Sequence, residues 1–462
     1  MQTDIRVKAV QPFFVQAKAR TPLKFGAVVM DQVPLCYVKM TVENGRGRVA
    51  EGWGAMLLAD MWGWPSPAVP HPRRSEAMIE TVRRLCRLFE QYTGAGHPVD
   101  IYYDLQTHLQ PVADAVTSGM GLAENMPHLN MLVCASPIDA AMHDAFGLVN
   151  DCSTWEAYGR RFCRHDLSRR LGPRFAGKYL ADVIRPMPAA VPAFHLVGGL
   201  DKLRASEIDP SDPDDGLPVS LDQWMSYERL HCLKIKLKGA DLDWDLQRII
   251  EVTDIAHEEH EKLGLSELHF SADTNEQCRH PDYIVEMLGK LKERSPRAFE
   301  ELLYVEQPTE RDLRAHRWDV RPIARLKPVI IDESLASLED FDLAMELGWS
   351  GVALKACKCQ SAALVTAAKA EAMRIPYTIQ DLTNPGLALV QSVALAAHLA
   401  PMMGVEANSR QFFPAYNDFM SAVHPGVCRF TDGKIDTTTL RGSGLGYQVS
   451  KLDLSFLEQA ES

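Results

Sequence analysis

The chain has 462 residues, of which 46% are hydrophobic and 24% are charged, and its formal net charge is −12. This length exceeds one minimal domain and suits a large barrel with an accessory domain, or two to three ordinary domains. The 61 Asp and Glu residues outnumber the 49 Lys and Arg residues. This balance argues against nucleic-acid and anionic-membrane partners, because those partners bind basic patches.

Ten cysteines occur without a CxxC pair, which indicates reduced, mostly buried thiols rather than a disulfide framework. The N-terminal residues lack a charged segment followed by an apolar one, so no secretory signal is evident. No apolar run reaches the roughly 18 residues that a membrane-spanning helix needs. We therefore expect a cytoplasmic protein without a membrane partner.

The first part of the chain predicts an α+β capping domain over residues 1–190. Apolar and polar residues alternate in the first 60 residues, which predicts two or three antiparallel strands with turns at 44–45 and 46–47. Helical periodicity covers residues 75–95 and 129–149. An Arg-rich, irregular insertion follows near residues 150–190.

From residue 191 the pattern changes to short β-rich runs separated by amphipathic helices. The eight runs cover residues 191–199, 232–239, 267–275, 302–308, 328–334, 351–358, 375–381 and 403–409. Eight consecutive βα units close a (β/α)₈ barrel of the TIM type. We therefore predict an α/β fold with the barrel over residues 191–420. A polar loop at 201–218 interrupts it, and nothing in the sequence separates an oligomer contact from decoration for this loop or for the 150–190 insertion.

The second run, HCLKIKLKG at 231–239, carries a lysine at every second position. Because side chains alternate across a strand, Leu233 and Ile235 face one way and the lysines 234, 236 and 238 face the other. Like charges this close disfavour one another's charged form. Either this is a solvent-facing edge strand, or the ammonium groups point at a functional site.

Charged residues also end the following runs. In such barrels the reactive groups lie where strands end and βα loops begin. Asp273, Glu306 and Asp332 end three consecutive runs, and Lys355 lies in the next one. Their separations of 33, 26 and 23 residues each fit one βα unit. The sequence thus predicts three carboxylates between two lysine-bearing strands.

Three carboxylates that converge on a barrel axis repel one another unless a cation holds them. Oxygen ligands in this number suit Mg²⁺, with Mn²⁺ as a possible substitute. Lysines beside such a metal have a lowered pKa and provide a neutral amine base. The metal would bind a substrate carboxylate and stabilise the enediolate formed when the α-proton leaves. Taken singly, each carboxylate is more often a helix cap, and Lys355 a lysine reaching solvent.

The ordered set KIK, ADTN, VEQP, DES and LKACK resembles the enolase superfamily, and within it the muconate-lactonizing-enzyme-like branch (the mandelate racemase/muconate lactonizing enzyme family). The resemblance runs from about residue 20 to about residue 450. VENGRGRVAEGWG resembles the cap strands of this family, and SPIDAAMHDAFG resembles the helix leading into the barrel. GSGLG at 442–446 resembles the C-terminal turn, which implies that residues 421–462 pack back on the cap. The Lys/Mg²⁺ arrangement described above is known for this superfamily.

The resemblance implies a role for each matching residue. Asp273, Glu306 and Asp332 would be the metal ligands. Lys236 would be the base on one face of the substrate, assisted by Lys234, and Lys355 would be the base or acid on the other face. Further residues expected to support the metal or to contact the substrate are Asn275, Glu333, Lys358, Gln380, Lys24 and Trp62. Lys238 is expected to be a bystander.

Three departures from the family pattern narrow the range of expected substrates and reactions. Cys359-Gln360 stands where the family has Gly-Gly, in a loop that would approach the substrate. The seventh run has no histidine, which argues against the mandelate-racemase and sugar-acid-dehydratase branches. The eighth run lacks the Asp-x-Asp of dipeptide epimerases.

We therefore expect a Mg²⁺-dependent racemase or epimerase that moves the α-proton of a small carboxylate substrate between two lysines. The alternatives are a lyase or cycloisomerase, similar to muconate-lactonizing enzyme or o-succinylbenzoate synthase, and a catalytically silent binding homologue. The intact carboxylate trio and both lysines oppose the silent reading. A homo-oligomer is expected.

Overall fold

The structure is a computed structural model that describes residues 1–25 and 28–459, with side chains described for all of these except 23–25, 28–31, 458 and 459. The side chain of Lys24 therefore lies outside the described residues. The chain begins with an antiparallel sheet of order β1-β2-β3. Its strands are β1 (Ile5–Phe25), β2 (Val28–Asn44) and β3 (Val49–Leu57).

The turn between β2 and β3 forms where the sequence predicts it. The side-chain oxygen Oδ1 of Asn44 accepts hydrogen bonds from the backbone N–H groups of Arg46 and Arg48, at 3.0 and 3.1 Å. Gly47 adopts a φ of +76°, which glycine reaches without a steric penalty. The local chemistry of NGRG therefore sets this hairpin.

Helices cover the sheet and continue into the insertion. They are α1 (Asp60–Gly63), α2 (His71–Glu90), α3 (Pro98–Gly119), α4 (His128–Val149) and α5 (Ser168–Leu171). The region predicted to be irregular also contains three 3₁₀ turns, at Thr154–Glu156, Pro173–Phe175 and Leu180–Asp182.

Helix α4 is the central helix of this part of the chain. It packs on β3 so closely that a Cβ atom at Gly52 or Gly54 would lie 2.1 Å from the backbone of α4. Among the described residues it is the one helix long and apolar enough to cross a membrane, and 94% of its apolar window is buried inside the protein. Such burial is typical of a core helix, and α4 contains Asn130, Asp139 and Asp144, so it does not contradict the prediction that no uninterrupted apolar run reaches about 18 residues.

The second sheet is a closed barrel of eight parallel strands in chain order, from β4 to β11, and β11 pairs with β4. Its strands are β4 (Ala190–Val197), β5 (Cys232–Lys236), β6 (His269–Asp273), β7 (Leu302–Glu306), β8 (Val329–Ile331), β9 (Gly351–Lys355), β10 (Tyr377–Gln380) and β11 (Val405–Glu406). Each predicted run overlaps one strand, so the barrel prediction is confirmed. A short strand β12 (Lys434–Asp436) pairs antiparallel with β4.

Helices alternate with the barrel strands and continue to the end of the chain. They are α6 (Leu221–Glu228), α7 (Leu242–Leu263), α8 (Asp282–Arg294), α9 (Pro296–Glu301), α10 (Arg321–Ala324), α11 (Leu338–Leu347), α12 (Gln360–Met373), α13 (Leu387–His398), α14 (Ser409–Phe412), α15 (Pro425–Cys428) and α16 (Phe456–Gln459). Further 3₁₀ turns lie at Ala205–Glu207, Ala356–Lys358, Pro414–Met420 and Val449–Lys451. All ten cysteines are free thiols and seven of them are buried, as predicted.

The C-terminal segment contacts the cap through Asp144 of α4. Its carboxylate accepts hydrogen bonds from the backbone N–H groups of Leu445, at 2.8 Å, and of Trp53 on β3, at 3.0 Å. One buried side chain thereby joins β3, α4 and the GSGLG turn. The exact domain boundaries at residues 190 and 420 stay a prediction.

Substitution of Asp144 by Asn should destabilise the protein by about 2 kcal/mol, because an amide NH₂ would face one of two backbone N–H groups in a buried site. Chemical denaturation measures this change. Asp151→Asn is the matched control, since Asp151 is exposed and pairs with the exposed Arg48, and it should cost less than about 0.5 kcal/mol. Equal effects in the two variants would contradict the joining role of Asp144.

Candidate active site

The carboxyl ends of β5 to β9 place five charged side chains at one mouth of the barrel. Parallel register sets Lys236 beside Asp273 and Asp273 beside Glu306. Asp332 follows directly after β8, and Lys355 ends β9. All five side chains are buried, with residue exposures between 0 and 8%. The structure therefore brings together the lysines and carboxylates that the sequence predicts.

The lysines of β5 bind three carboxylates directly. The Nζ atom of Lys234 lies 2.8 Å from an oxygen of Glu306, 2.8 Å from Glu406 and 3.1 Å from Asp273. Lys236 lies 2.5 Å from Asp273 and donates to the side-chain oxygen of Asn275 at 2.9 Å. The two lysines of this strand thus share Asp273.

The opposite side of the mouth holds Asp332 between two other lysines. The Nζ atom of Lys355 lies 2.8 Å from Oδ2 of Asp332, and that of Lys358 lies 3.1 Å from Oδ1. Lys358 also donates to the backbone oxygen of Asp332 at 2.6 Å. Lys358 therefore fixes both the backbone and the side chain of this carboxylate.

Trp62 of the cap helix α1 reaches into the site. Its indole N–H donates to Oε1 of Glu333 at 3.1 Å, and the same oxygen accepts from Asn275 at 3.2 Å. The Nζ atoms of Lys355 and Lys358 lie 4.8 and 5.8 Å from the centre of the Trp62 ring, in the range of cation–π attraction. The cap thus supplies one wall of the site.

Gln380 at the end of β10 donates to the second oxygen of Glu306 at 2.6 Å. Its own side-chain oxygen is buried and has no hydrogen-bond partner among the described residues. The same is true of one carboxylate oxygen each of Glu333 and Asp381. Three buried acceptor atoms at the mouth are therefore left for a further group, because buried polar atoms are normally satisfied.

The protein atoms alone raise the pKa values of Lys234 and Lys355, whereas the predicted lowering concerned lysines beside a bound metal ion. Burial lowers the pKa of Lys234, but the charges of Glu306, Glu406 and Asp273 outweigh it, so this pKa lies well above its usual range. For Lys355 burial is likewise outweighed, mainly by Asp332, and the pKa is raised. The predicted lowering requires a bound cation that these contacts do not include.

The carboxylates shift in both directions. Burial raises the pKa of Glu306 to about 7, since the charge of Lys234 only partly opposes it. Burial also acts on Asp273, but Lys236 and Lys234 outweigh it and bring this pKa to about 2. Burial and the neighbouring Asp332 raise the pKa of Glu333 to about 8.

The mouth holds more carboxyl groups than lysines. Among the described buried residues here, the carboxyl groups belong to Asp273, Glu306, Asp332, Glu333, Asp381 and Glu406, and the lysines are Lys234, Lys236, Lys355 and Lys358. The raised pKa values of Glu306, Glu333 and Asp381 mean that protons compensate part of this excess in the metal-free protein. A divalent cation would take the place of such protons, and hard carboxylate oxygens are the donors that Mg²⁺ prefers.

The described residues fit such a cation by their chemistry, but their side chains are paired with lysines. No group of three acidic, histidine or cysteine side chains in the described part of the chain has a geometry that could hold a metal ion. Lys234 lies between Asp273 and Glu306, and Lys355 and Lys358 hold Asp332, so a cation would have to displace ammonium groups. Asp273, Glu306 and Asp332 are the residues that could hold it.

The sequence of the barrel region matches a known protein family. The model of the enolase C-terminal domain-like family matches residues 219–453, just over half of the chain. The chain belongs to the enolase superfamily. The resemblance to its muconate-lactonizing-enzyme-like branch is thereby confirmed, whereas no curated protein matches the chain significantly.

Solved structures of this superfamily share the fold. The muconate lactonizing enzyme of Pseudomonas fluorescens, complexed with muconolactone, is 18% identical and has a TM-score of 0.63 over 98% of both chains. N-succinyl Arg/Lys racemase from Bacillus cereus is 15% identical, with a TM-score of 0.61 over 98% of both chains. A dipeptide epimerase from Enterococcus faecalis, complexed with Mg and L-Leu-L-Tyr, is 14% identical, with a TM-score of 0.57 over 88% of this chain and 91% of that one. At these identities the likeness concerns the fold.

Two acidic residues of the superfamily barrel were missed by sequence reasoning. Glu406 at the end of β11 accepts from Lys234 and from Asn408, and Asp381 follows β10. Both line the chamber that Lys234, Lys236 and Lys355 also line. Their signal was the one used for the other carboxylates, an acidic residue where a β-rich run ends.

The Cys359-Gln360 loop does not line this chamber among the described residues, so the expected approach to the substrate was wrong. The Sγ atom of Cys359 lies 3.6 Å from the backbone oxygen of Leu132 on α4. Gln360 donates to the hydroxyl of Tyr158. Both side chains turn towards the cap because Cys359 has a φ of +74°, which redirects the chain after the 3₁₀ turn.

The chamber between the lysines is small. Its volume is about 10 Å³, which is room for at most one water molecule. A cavity of 830 Å³ adjoins it at Trp62 and Asn275, and a cavity of 460 Å³ adjoins it at Leu196. Side chains at these shared walls must move before a substrate carboxylate can enter.

Asp381 gives a pH-dependent prediction for the metal-free protein. Burial, followed by the charge of Glu406, raises the pKa of Asp381 to about 8. An unfolded Asp has a pKa of about 4, so the folded state retains a proton that the unfolded state releases. The free energy of unfolding should therefore fall as the pH rises from about 4 to about 8. Asp381→Asn should be more stable than wild type at pH 9, by about 1–3 kcal/mol, and close to it at pH 5.

Chemical denaturation in EDTA at both pH values measures this difference. Asp254→Asn is the control, because Asp254 is exposed on α7 and its replacement should leave the pH dependence unchanged. A wild-type protein whose stability does not decline relative to Asp381→Asn between pH 5 and pH 9 would contradict the assigned environment.

Proposed function

We propose that this protein is a Mg²⁺-dependent enzyme that removes the proton next to the carboxylate of a small acid, with Lys236 and Lys355 as proton-transferring residues. The placement of these two lysines carries the proposal. Strands β5 and β9 lie four positions apart in the closed eight-stranded barrel, so they face each other across its axis. Both lysines line the chamber between them.

This placement supports racemisation or epimerisation as the reaction. A carbon atom held between the lysines can lose its proton to one amine and receive a proton from the opposite ammonium group, which inverts its configuration. Amine bases suit this task when their pKa lies near the working pH. Lys234 binds Glu306, Glu406 and Asp273 at once, so its part is to hold the acidic side of the site in place.

Asp273, Glu306 and Asp332 would hold the Mg²⁺ ion. When bound, the ion supplies positive charge that stabilises negative charge developing on the substrate carboxylate. The excess of carboxyl groups over lysines at the mouth and the unpartnered side-chain oxygens of Gln380 and Glu333 support a divalent cation here. The Mg-complexed dipeptide epimerase of the same fold gives further support.

A lyase or cycloisomerase is the second candidate, and Trp62 favours it. The Trp62 ring lies against the Nζ atom of Lys355 and stabilises its charged form. A lysine held as ammonium would act as an electrostatic partner, with Lys236 as the only base. Muconate lactonizing enzyme, which shares the fold, was solved with muconolactone.

Metal binding is tested without a substrate. MgCl₂ at about 100 times its dissociation constant should stabilise EDTA-treated protein by about 2.7 kcal/mol, which appears as a rise in melting temperature. Asp273→Asn and Asp332→Asn should lose most of this rise, whereas Asp282→Asn, an exposed residue on α8, should keep it. An unchanged rise in both site variants would contradict the ligand assignment.

The reaction is tested by α-proton exchange in D₂O, followed by NMR, with enantiomer pairs of N-acyl amino acids, dipeptides and hydroxy acids. Lys236→Ala and Lys355→Ala should each lose exchange on one enantiomer by about 10²–10⁴-fold, the usual contribution of a general base. Lys238→Ala should keep the full rate, because Lys238 is exposed and pairs with Asp241.

The outcomes separate the candidates. Deuterium incorporation without net turnover supports a racemase or epimerase, and an elimination or ring-closed product supports the lyase or cycloisomerase. A full rate in Lys355→Ala would refute the two-base mechanism. Absence of exchange with every acid, despite bound Mg²⁺, would leave the silent binding homologue as the better description for this set of acids.

A further inference from the structure

A chain of hydrogen bonds joins the cap helix α4 to the start of the barrel helix α12. The Ser361 hydroxyl lies 2.8 Å from a carboxylate oxygen of Asp139 and 2.8 Å from Nε2 of His143. The backbone N–H of Ser361 donates to the other oxygen of Asp139 at 2.8 Å. The Tyr158 hydroxyl lies 2.9 Å from Nδ1 of His143 and accepts from Gln360 at 3.3 Å. All five residues are fully buried.

The ionised carboxylate of Asp139 sets the direction of the bonds in this chain. A carboxylate only accepts, so Ser361 donates its hydroxyl proton to Asp139. The Ser361 oxygen then accepts from Nε2–H of His143. In a neutral ring Nδ1 is left as an acceptor, so Tyr158 donates to it. Burial lowers the pKa of His143 well below its usual range, which agrees with the neutral ring that this order requires.

This Ser-His-Asp cluster is not a nucleophilic triad. A nucleophilic serine donates its proton to histidine, whereas here the serine accepts from His143 and donates to Asp139. The cluster also has no exposed atom through which a substrate could reach it. Its position at a helix start indicates a different use.

Asp139 caps helix α12 from outside that helix. The first N–H groups of a helix have no partner within it, and a carboxylate at this end is favoured by the helix dipole. Asp139 binds the N–H of Ser361, the second residue of α12. The start of α12 is therefore tied to α4 rather than to the barrel alone.

The anchored start of α12 follows shortly after Lys355 and Lys358, the two lysines that hold Asp332. Lys355 ends β9, the 3₁₀ turn Ala356–Lys358 follows, and Cys359 then adopts a φ of +74°. A non-glycine residue in this region is strained and persists only when its surroundings hold it. The anchored residue Ser361 lies two positions beyond Cys359, so relaxation of Cys359 would move Lys358.

We propose that Asp139 and His143, on cap helix α4, are positioning residues that hold Lys355 and Lys358 in place through the start of α12. Lys358 in turn fixes the backbone and carboxylate of Asp332. Helix α4 thereby sets the geometry of the acid–base side of the barrel from behind, and neither Asp139 nor His143 lines the chamber. The catalytic part of this inference rests on the proposed function, whereas the structural link does not.

Asp139→Asn is the sharpest variant, because it keeps the shape of the side chain and removes its charge. The Asn NH₂ would face the Ser361 hydroxyl, so the hydroxyl proton loses its acceptor unless the bonds to His143 and Tyr158 reverse, and the negative charge at the start of α12 is lost. Tyr158→Phe is the milder variant and removes one link. Ser136→Ala is the matched control, since Ser136 is a buried serine of α4 that donates only within its own helix, to Val133.

Hydrogen–deuterium exchange of the metal-free protein, read by mass spectrometry at pH 8.5, gives the first readout. Burial raises the pKa of Asp139 to about 7, so the wild-type carboxylate is ionised there. In Asp139→Asn we expect exchange to be about tenfold faster both in peptides covering 359–364 and in those covering 352–358, with a smaller change in Tyr158→Phe and none in Ser136→Ala. Unchanged protection in both windows overturns the proposal, and so does a change confined to 359–364.

The second readout uses whichever acid exchanges its α-proton with wild-type enzyme. Because a misplacement of about 1 Å costs about 10²-fold in rate, kcat should fall by about that factor in Asp139→Asn with KM little changed. Ser361→Thr, which keeps the hydroxyl, should retain more of the rate than Ser361→Ala. An unchanged kcat in a variant with loosened lysine peptides overturns the positioning role. If no acid exchanges with wild type, the proposed function fails and the exchange windows still decide the structural link.

Discussion

The site depends on one constraint. Carboxylates at the ends of neighbouring parallel strands lie close together at one edge of a closed barrel, and their burial requires positive charge nearby. Asp273 and Glu306 are side by side in the register of β6 and β7, and Asp332 follows in the next strand. Lysines from β5 and from the β9 side hold this group between them. The same contacts that allow the acidic cluster to be buried therefore also place two amines on opposite sides of one chamber.

The cap is part of this arrangement rather than a cover added to it. Trp62 spans Glu333 and the ammonium groups of Lys355 and Lys358. Arg311, from the loop after β7, donates to the backbone oxygen of Trp62 and pairs with Glu276. Trp62 is thus bound through both its ring N–H and its backbone oxygen. The wall that it forms therefore depends on barrel loops as much as on the cap.

The barrel and its charged strand ends were predictable because both are local patterns, a β-rich run followed by a helix and a charged residue where the run stops. Helix α3 was missed, although α4, which also contains an internal proline, was predicted. Glu406 was passed over because a single acidic residue at a strand end is common, and only its contact with Lys234 gives it significance. The direction of the Cys359 side chain depends on a positive φ, which a sequence shows reliably only for glycine.

The charge of the site connects its acid–base chemistry to its cation. Carboxylate neighbours raise the pKa of Lys234 and Lys355, so an amine at this mouth stays protonated while those carboxylates are its partners. Lys355 would become a competent base only when those carboxylates are engaged elsewhere, and the proposed divalent cation would engage them. The carboxylates that keep Lys355 protonated in the metal-free protein are therefore among the groups proposed to hold the ion that would release it.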